Sequence, residues 1–248
     1  IEGVAMYSAQ IYCDFSGYSD MAIGFALMLG YSLGDNFRWP YLSATITDFW
    51  RRWHISLSSW LRDYLYISLG GNRAGARRTQ INLMLTMLLG GLWHCASWSF
   101  VVWGGLHGGA LIVHRWWSGL RARRRSPERD AADPGPQFGI VGHVAAVATT
   151  FVFVSFVWIF FRAPDFGSAW DVVGRLVAFD GSGQTISAVS VWLLLLAGVA
   201  HAIASTDKPG RWTNRISDPV YALGLGVVFA LSIALVPVGT RPFIYFQF

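Results

Sequence analysis

The sequence predicts an all-α membrane protein, and three observations carry that prediction. Hydrophobic residues make up 54% of the 248-residue chain and charged residues only 13%, with a mean hydropathy of +0.41, a balance foreign to soluble domains. Three apolar stretches, residues 144–161, 186–204 and 220–238, approach the roughly 20 residues that cross a bilayer as a helix. Aromatic residues reach 16%, including 13 Trp, a density suited to membrane interfaces or to the lining of a substrate path.

The formal net charge is +5, and the basic residues stand in short clusters between apolar runs, the arrangement that orients helices in a bilayer. The lipid bilayer is therefore the expected partner, and nucleic acid is not. Cys13 and Cys95 lie in apolar surroundings without metal-ligand spacing, so neither a disulfide nor a zinc site is expected. The first residue is Ile, and no charged segment with a cleavage site precedes the apolar sequence. No signal peptide is read, and the chain is expected to start within a longer protein.

Taken in order, residues 6–33 are long enough to span but carry Asp14 and Asp20. The segment is expected either to break near Gly17 or to face protein and water. Between 37 and 72, Phe49, Trp50, Trp53, Leu57, Trp60, Leu61, Tyr64 and Leu65 recur at helical spacing, with Arg51, Arg52, Ser59, Arg62 and Asp63 opposite. That pattern predicts an amphipathic interfacial or re-entrant helix. Thr45 and Asp48 form a capping-box start, and Gly70-Gly71-Asn72 an end.

Residues 81–115 are apolar but interrupted by Gly90-Gly91, Gly104-Gly105 and Gly108-Gly109. Arg73, Arg77 and Arg78 precede them, and Arg121, Arg123, Arg124, Arg125 and Arg129 follow. With both clusters cytoplasmic, the segment enters the membrane and returns, bending near His94. Residues 121–137, rich in Arg, Pro and acids, are expected to form a flexible loop. Residues 163–185 then lie outside, 205–218 inside with Lys208, Arg211 and Arg215, and the C-terminus outside.

Two histidines stand out. His54 falls beside Trp50 and Ser58 at the edge of the aromatic face, where a solvated polar residue would also fit. His94 sits mid-segment between Trp93 and Trp98, where an ionisable group is costly and marks function, unless a helix carbonyl satisfies it. As a neutral imidazole it can take a proton from a hydroxyl. Cys95 is one residue away, and on a continuous helix the two side chains would diverge by about 100°, so packing is the expected role of the thiol. His107 and His114 share a seven-residue spacing but have no third ligand, so packing is expected and no metal is assigned. His143 and His201 have no evident partner in the sequence. Asp14, Ser16, Tyr18 and Asp20 form a polar patch able to bond a polar substrate or to pair with Arg51, Arg52 or Arg62.

At these residues the sequence resembles the membrane-bound O-acyltransferases, in the bacterial branch of alginate O-acetylation and teichoic-acid D-alanylation. The resemblance rests on Asp14-Phe15-Ser16-Gly17-Tyr18-Ser19-Asp20, on residues 36–41, and on 48–71 around Trp53-His54-Ile55-Ser56-Leu57-Ser58. It continues through Gly91-Leu92-Trp93-His94, Trp103-Gly104-Gly105-Leu106-His107-Gly108, Trp158-Ile159-Phe160-Phe161-Arg162-Ala163 and residues 243–248. Cys95 departs from the small Gly or Ala usual in the family after its catalytic histidine.

The resemblance implies a multi-span helical bundle around a funnel, in the bacterial cytoplasmic membrane, with residues 1–248 as the C-terminal portion of one domain. By the same resemblance His94 is the catalytic base and His54 a second required position. Asp14, Tyr18, Asp48, Trp50, Arg51, Arg52, Trp53, Ser58, Trp93 and Trp98 are the candidates lining the funnel. No bound cofactor is implied. The donor would be an acyl thioester, acetyl-CoA or an acyl carrier protein, on the cytoplasmic side. The acceptor would be an extracytoplasmic polysaccharide or an acetyltransferase partner. A different class, a transporter or flippase-like scaffold for a cell-envelope precursor, would use the same polar residues as a path. Inverted repeats would favour that class, and none is evident.

Overall fold

The computed structural model describes residues 2–124, 139–178, 187–206 and 216–234. The regular structure among them is helical, as the composition predicts. The chain divides into two compact units, Ile1–Ser190 and Val191–Phe248.

Helix α1 (Glu2–Met28) runs unbroken through Gly17, so of the two alternatives read from the sequence the break is not the one taken. It stops in a Schellman turn. Gly30 takes φ 84°, its amide bonds the Leu27 carbonyl at 3.0 Å, and the Tyr31 amide bonds that of Ala26 at 2.8 Å. Tyr7, Ile11 and Phe15, four residues apart, form the buried stripe of α1.

Residues 37–72 do not form one amphipathic helix. A 3-10 turn (Pro40–Leu42) leads to α2 (Ile46–Arg52) and α3 (Ile55–Trp60), and α3 runs on as a π-helical turn (Leu61–Tyr66). Thr45 caps α2 as expected, accepting the Asp48 amide at 3.1 Å, but Asp48 turns to Arg52 at 3.0 Å instead of completing a capping box. Gly70 and Gly71, at φ 104° and 53°, end the segment.

The apolar tract that follows is a pair of helices that run out and back, turning just after His94 as expected. Helix α4 (Gly75–His94, 20 residues) starts before the apolar run and stops at the expected bend. Helix α5 (Trp98–Arg124, 27 residues) returns against it. Residues 121–124, read as loop, are the last turn of α5, while 125–137 lie outside the described residues.

Helix α6 (Ile140–Arg162, 23 residues) contains the first apolar stretch and is long and apolar enough to cross a membrane. It packs on α1 and α5, and the buried Ser8 hydroxyl of α1 bonds the Ser155 hydroxyl at 2.9 Å. Helix α7 (Phe166–Val177) lies within residues 163–185, the connection expected outside between two spans. Asp165 caps it, and Ala169 and Val173 bury its inner face; the cap and that spacing are the signals that could have found it. Helix α8 (Ala188–Ala204), of which all but the first three residues belong to the second unit, and α9 (Asp218–Ala234) of that unit coincide with the other two apolar stretches. Each has 17 described residues, at the lower end of what crosses a bilayer. Residues 235–238 of the last stretch, and the 243–248 motif, fall outside the described residues.

Candidate active site

The joint between α2 and α3 places His54. Trp53 is extended at the end of α2, and His54 is left-handed at φ 45° and ψ 56°, a conformation that costs a non-glycine residue about 1–2 kcal/mol. The loop before it compensates. Asn36 accepts the Ile55 amide on its backbone oxygen at 2.9 Å, and Arg52 accepts the Arg38 amide at 2.9 Å. The Asn36 Oδ1 lies 3.2 Å from His54 Nδ1, 3.2 Å from the Ser56 amide and 3.0 Å from the Ser56 hydroxyl. Its Nδ2 donates to Ser19 of α1 at 3.1 Å. Phe15 stacks edge-on against the imidazole, with centroids 4.7 Å apart.

His94 is the last residue of α4. Its ring lies 5.4 Å from Phe161, 5.5 Å from Trp103 and 6.2 Å from Phe100, so α5 and α6 wall it with aromatics. An aromatic chain joins the two sites: Trp53 to Trp158 at 5.0 Å and Trp158 to Phe161 at 5.3 Å. Both imidazoles are half-buried and within electrostatic reach of each other. His107 borders the same aromatic cluster, 4.8 Å from Trp103 and 6.4 Å from Trp158, but is fully buried; the two half-buried rings, His54 and His94, suit proton handling in a water-poor site.

The other expected site residues scatter. Trp50 is turned to α5, its indole N–H donating to His107 Nδ1 at 3.3 Å. Ser58 donates to the Trp53 carbonyl at 3.1 Å, closing the end of α2. Asp48 and Arg52 pair with each other, and Arg51 is exposed. Asp14 is half-buried with Gln10 at 3.5 Å, and Tyr18 and Asp20 are exposed. Among the described ion pairs, Arg38–Asp35, Arg52–Asp48 and Arg62–Asp63, none joins α1 to Arg51, Arg52 or Arg62. Trp93 borders His94 at 5.2 Å, but Trp98 is 74% exposed because it opens α5 on the far side of the turn. The walling role belongs to Trp103, Trp158 and Phe161, whose only sequence signal was the motifs that contain them.

His107 and His114 pack, as their spacing suggested. His107 is fully buried, and His114 Nδ1 meets the Thr47 hydroxyl at 3.0 Å. The helix does break between His94 and Cys95, which takes an extended backbone. The premise of a continuous helix fails there, yet among the described residues no hydrogen bond joins the thiol to His94. No group of three metal-ligating side chains occurs among the described residues. A cavity of about 990 Å³ opens elsewhere, between α5 and α6, bordered by Thr45, His114, Arg121 and Thr149; neither His54 nor His94 lines it.

The chain is 44% identical over 209 residues to a probable alginate O-acetylase of Azotobacter vinelandii, covering 81% of this chain and 38% of the relative. It is 45% identical over 175 residues to a peptidoglycan O-acetyltransferase of Helicobacter pylori, covering 71% and 31%. It is 34% identical over 110 residues to a teichoic acid D-alanyltransferase of Bacillus subtilis, covering 41% and 27%. The chain thus spans about a third of the length of the curated relatives it matches. The model of the MBOAT, membrane-bound O-acyltransferase family, matches residues 2–157, a stretch that holds both His54 and His94 and is more than half of the chain, so this chain belongs to the membrane-bound O-acyltransferase family.

Proposed function

We propose that this chain carries the acyl-transfer centre of a multi-pass enzyme of the bacterial cytoplasmic membrane, as the C-terminal portion of one acyltransferase domain. The enzyme moves an acyl group, acetyl by analogy with the O-acetylating relatives, from a cytoplasmic thioester to hydroxyls of an extracytoplasmic polysaccharide such as alginate. The observation that carries the reading is the pair His54 and His94 on one aromatic lining, within electrostatic reach. The two partners this requires are a thioester donor, coenzyme A or a carrier protein, and the acceptor glycan or an acetyltransferase that serves it.

In the proposed step, His94 takes the proton of the acceptor hydroxyl as its oxygen attacks the thioester carbonyl. The tetrahedral intermediate collapses, the carbon–sulfur bond breaks, and the departing thiolate takes up the proton from the imidazolium. His54 positions the acceptor or shares the proton. Trp103, Trp158 and Phe161 keep water from the thioester, so that acyl transfer outruns hydrolysis.

The test is His94→Ala in membranes from cells expressing the protein, with a labelled acetyl thioester and isolated glycan. Transfer of label should fall by about 100-fold or more, with the protein still extracted as a folded species. Wild-type transfer by His94→Ala would refute the assignment of the base. Movement of intact donor across the membrane, without free thiol or ester, would favour a transporter instead.

A further inference from the structure

Asn36 touches more of the His54 joint than any residue of α2 or α3. The Ser56 backbone N–H can only donate, and it points at the Asn36 side-chain atom 3.2 Å away. That atom is therefore the amide oxygen, and the Nδ2 contact with the Ser19 hydroxyl agrees with this orientation. The same oxygen lies 3.2 Å from His54 Nδ1. The other neighbour of Nδ1, the Ser56 hydroxyl at 3.4 Å, directs its single hydrogen to the same Asn36 oxygen at 3.0 Å; an unprotonated Nδ1 would then face only lone pairs, so Nδ1 carries the hydrogen and donates it to Asn36. The neutral imidazole then holds its lone pair on Nε2 alone.

We propose that Asn36 is a positioning residue for acyl transfer, holding His54 in its left-handed turn and in the Nδ1–H tautomer so that the ring's lone pair is on Nε2, available to position the acceptor hydroxyl or to share its proton with His94. The proposal rests on the reading of His54 as part of the acyl-transfer centre. A second feature supports positioning over simple loop anchoring. The Asn36 backbone oxygen already ties the loop to Ile55 at 2.9 Å, so the amide group is left to orient the ring and to tie it, through Ser19, to α1. Orientation by a neighbour that fixes one tautomer is the usual support for a working histidine.

The groups facing His54 make the electrostatic consequence readable. Phe15 and Ser19 of α1 and Ser56 of α3 are neutral, and His94 of α4 is the titratable group within reach. In the loop, Asp35 is paired with Arg38 at 3.1 Å, and Asp20 of α1 lies within reach of Asp35. Asn36→Asp keeps the acceptor oxygen for Nδ1 and Ser56 while adding a negative charge that favours the imidazolium. Asn36→Leu removes the acceptor at similar volume.

The experiment measures acyl transfer in membranes for both variants, each in the wild-type and the His54→Ala background, and records the nitrogen NMR shifts of labelled histidine in detergent. Asn36→Leu should lower kcat about tenfold or more with little change in donor KM, and should cause no further loss when His54 is already Ala. Asn36→Asp should retain transfer, with the acid limb of its pH–rate profile moved to higher pH. The His54 signal should report Nδ1–H in the wild type and lose that preference in Asn36→Leu. Wild-type kcat in Asn36→Leu, an equal further loss in the His54→Ala background, or an Nε2–H wild-type tautomer would each overturn the proposal. If His54→Ala itself transfers acyl groups normally while the NMR signature holds, the functional reading of His54 fails and the positioning geometry stands.

Discussion

Gly91 of α4 and Phe100 of α5 approach so closely that a Cβ on Gly91 would collide with the Phe100 carbonyl oxygen. Further along the same crossing, Gly104 meets the Met87 carbonyl and Gly108 meets Met84. Backbone-to-backbone contact of this kind is how membrane helices pack without a hydrophobic drive, and here it sets the turn that presents His94. Their neighbours differ: a Cβ on Gly105 would have only Leu88 at 3.7 Å, and one on Gly109 nothing within 4 Å. Gly91→Ala and Gly104→Ala should each cost about 1–3 kcal/mol or more of stability, seen as a lower melting temperature in detergent. Gly109→Ala should stay within about 0.5 kcal/mol of wild type. Equal effects at Gly104 and Gly109 would contradict the crossing.

Trp50→Phe removes the only indole N–H donated to His107 Nδ1 among the described contacts. His107 is fully buried, so the orphaned acceptor should cost about 1–3 kcal/mol, measured as the loss of thermal stability. The neutral tautomer of His107 has its hydrogen on Nε2, an atom with no partner among the described residues. No shift in melting would show that Trp50 is not holding α2 to α5.

Cys95→Ala tests whether the break in the helix brings the thiol into chemistry. Since no hydrogen bond links Cys95 to His94 among the described residues, the thiolate has no base to form it, and acyl transfer by the variant should equal the wild-type rate. Failure to accumulate label on the protein during turnover should accompany it. Loss of transfer in Cys95→Ala, with an acyl-protein seen in the wild type, would reassign Cys95 as the nucleophile.

The cap of α7 carries a pH dependence. The Ser168 amide at 2.9 Å and its hydroxyl at 2.7 Å hold the Asp165 carboxyl below the ordinary carboxylate value. A carboxyl depressed on folding adds stability that is complete above the unfolded value, near pH 4, and is lost as pH falls through the lower folded one. Hydrogen exchange of the α7 amides should therefore be protected from neutral pH down to about pH 4 and weaken below it. In Asp165→Ala the protection should be reduced at every pH without that acid step. An acid step of wild-type size in the variant would assign it to another group.

Much of the chain was legible from its residues. Apolar length located α6, α8 and α9, and Thr45 and the Gly70-Gly71 pair marked ends where the backbone needs a side-chain oxygen or a positive φ. The single helix expected across Phe49 to Leu65 was not there, because aromatic periodicity is preserved across a joint that changes direction at His54. That joint depends on Asn36, which is remote in sequence and recognisable only once its amide reaches Ser56 and His54. The Gly pairs announced close packing, but which member of each pair touches the partner helix depends on the α4–α5 crossing.

By itself, then, the sequence determined an all-helical membrane protein, its caps and turns, and one histidine, His94, placed where an ionisable group is costly, since these follow from composition and from bonds between near neighbours. Only the tertiary structure decided that one aromatic cluster joins His54 to His94 and that Trp50 enters it against Trp103, while Trp98, an equal candidate by pattern, is left exposed. The physical reason is that periodicity reports which residues share a face of one helix, whereas the distance between residues on different helices is set by how closely the backbones at Gly91, Gly104 and Gly108 can approach.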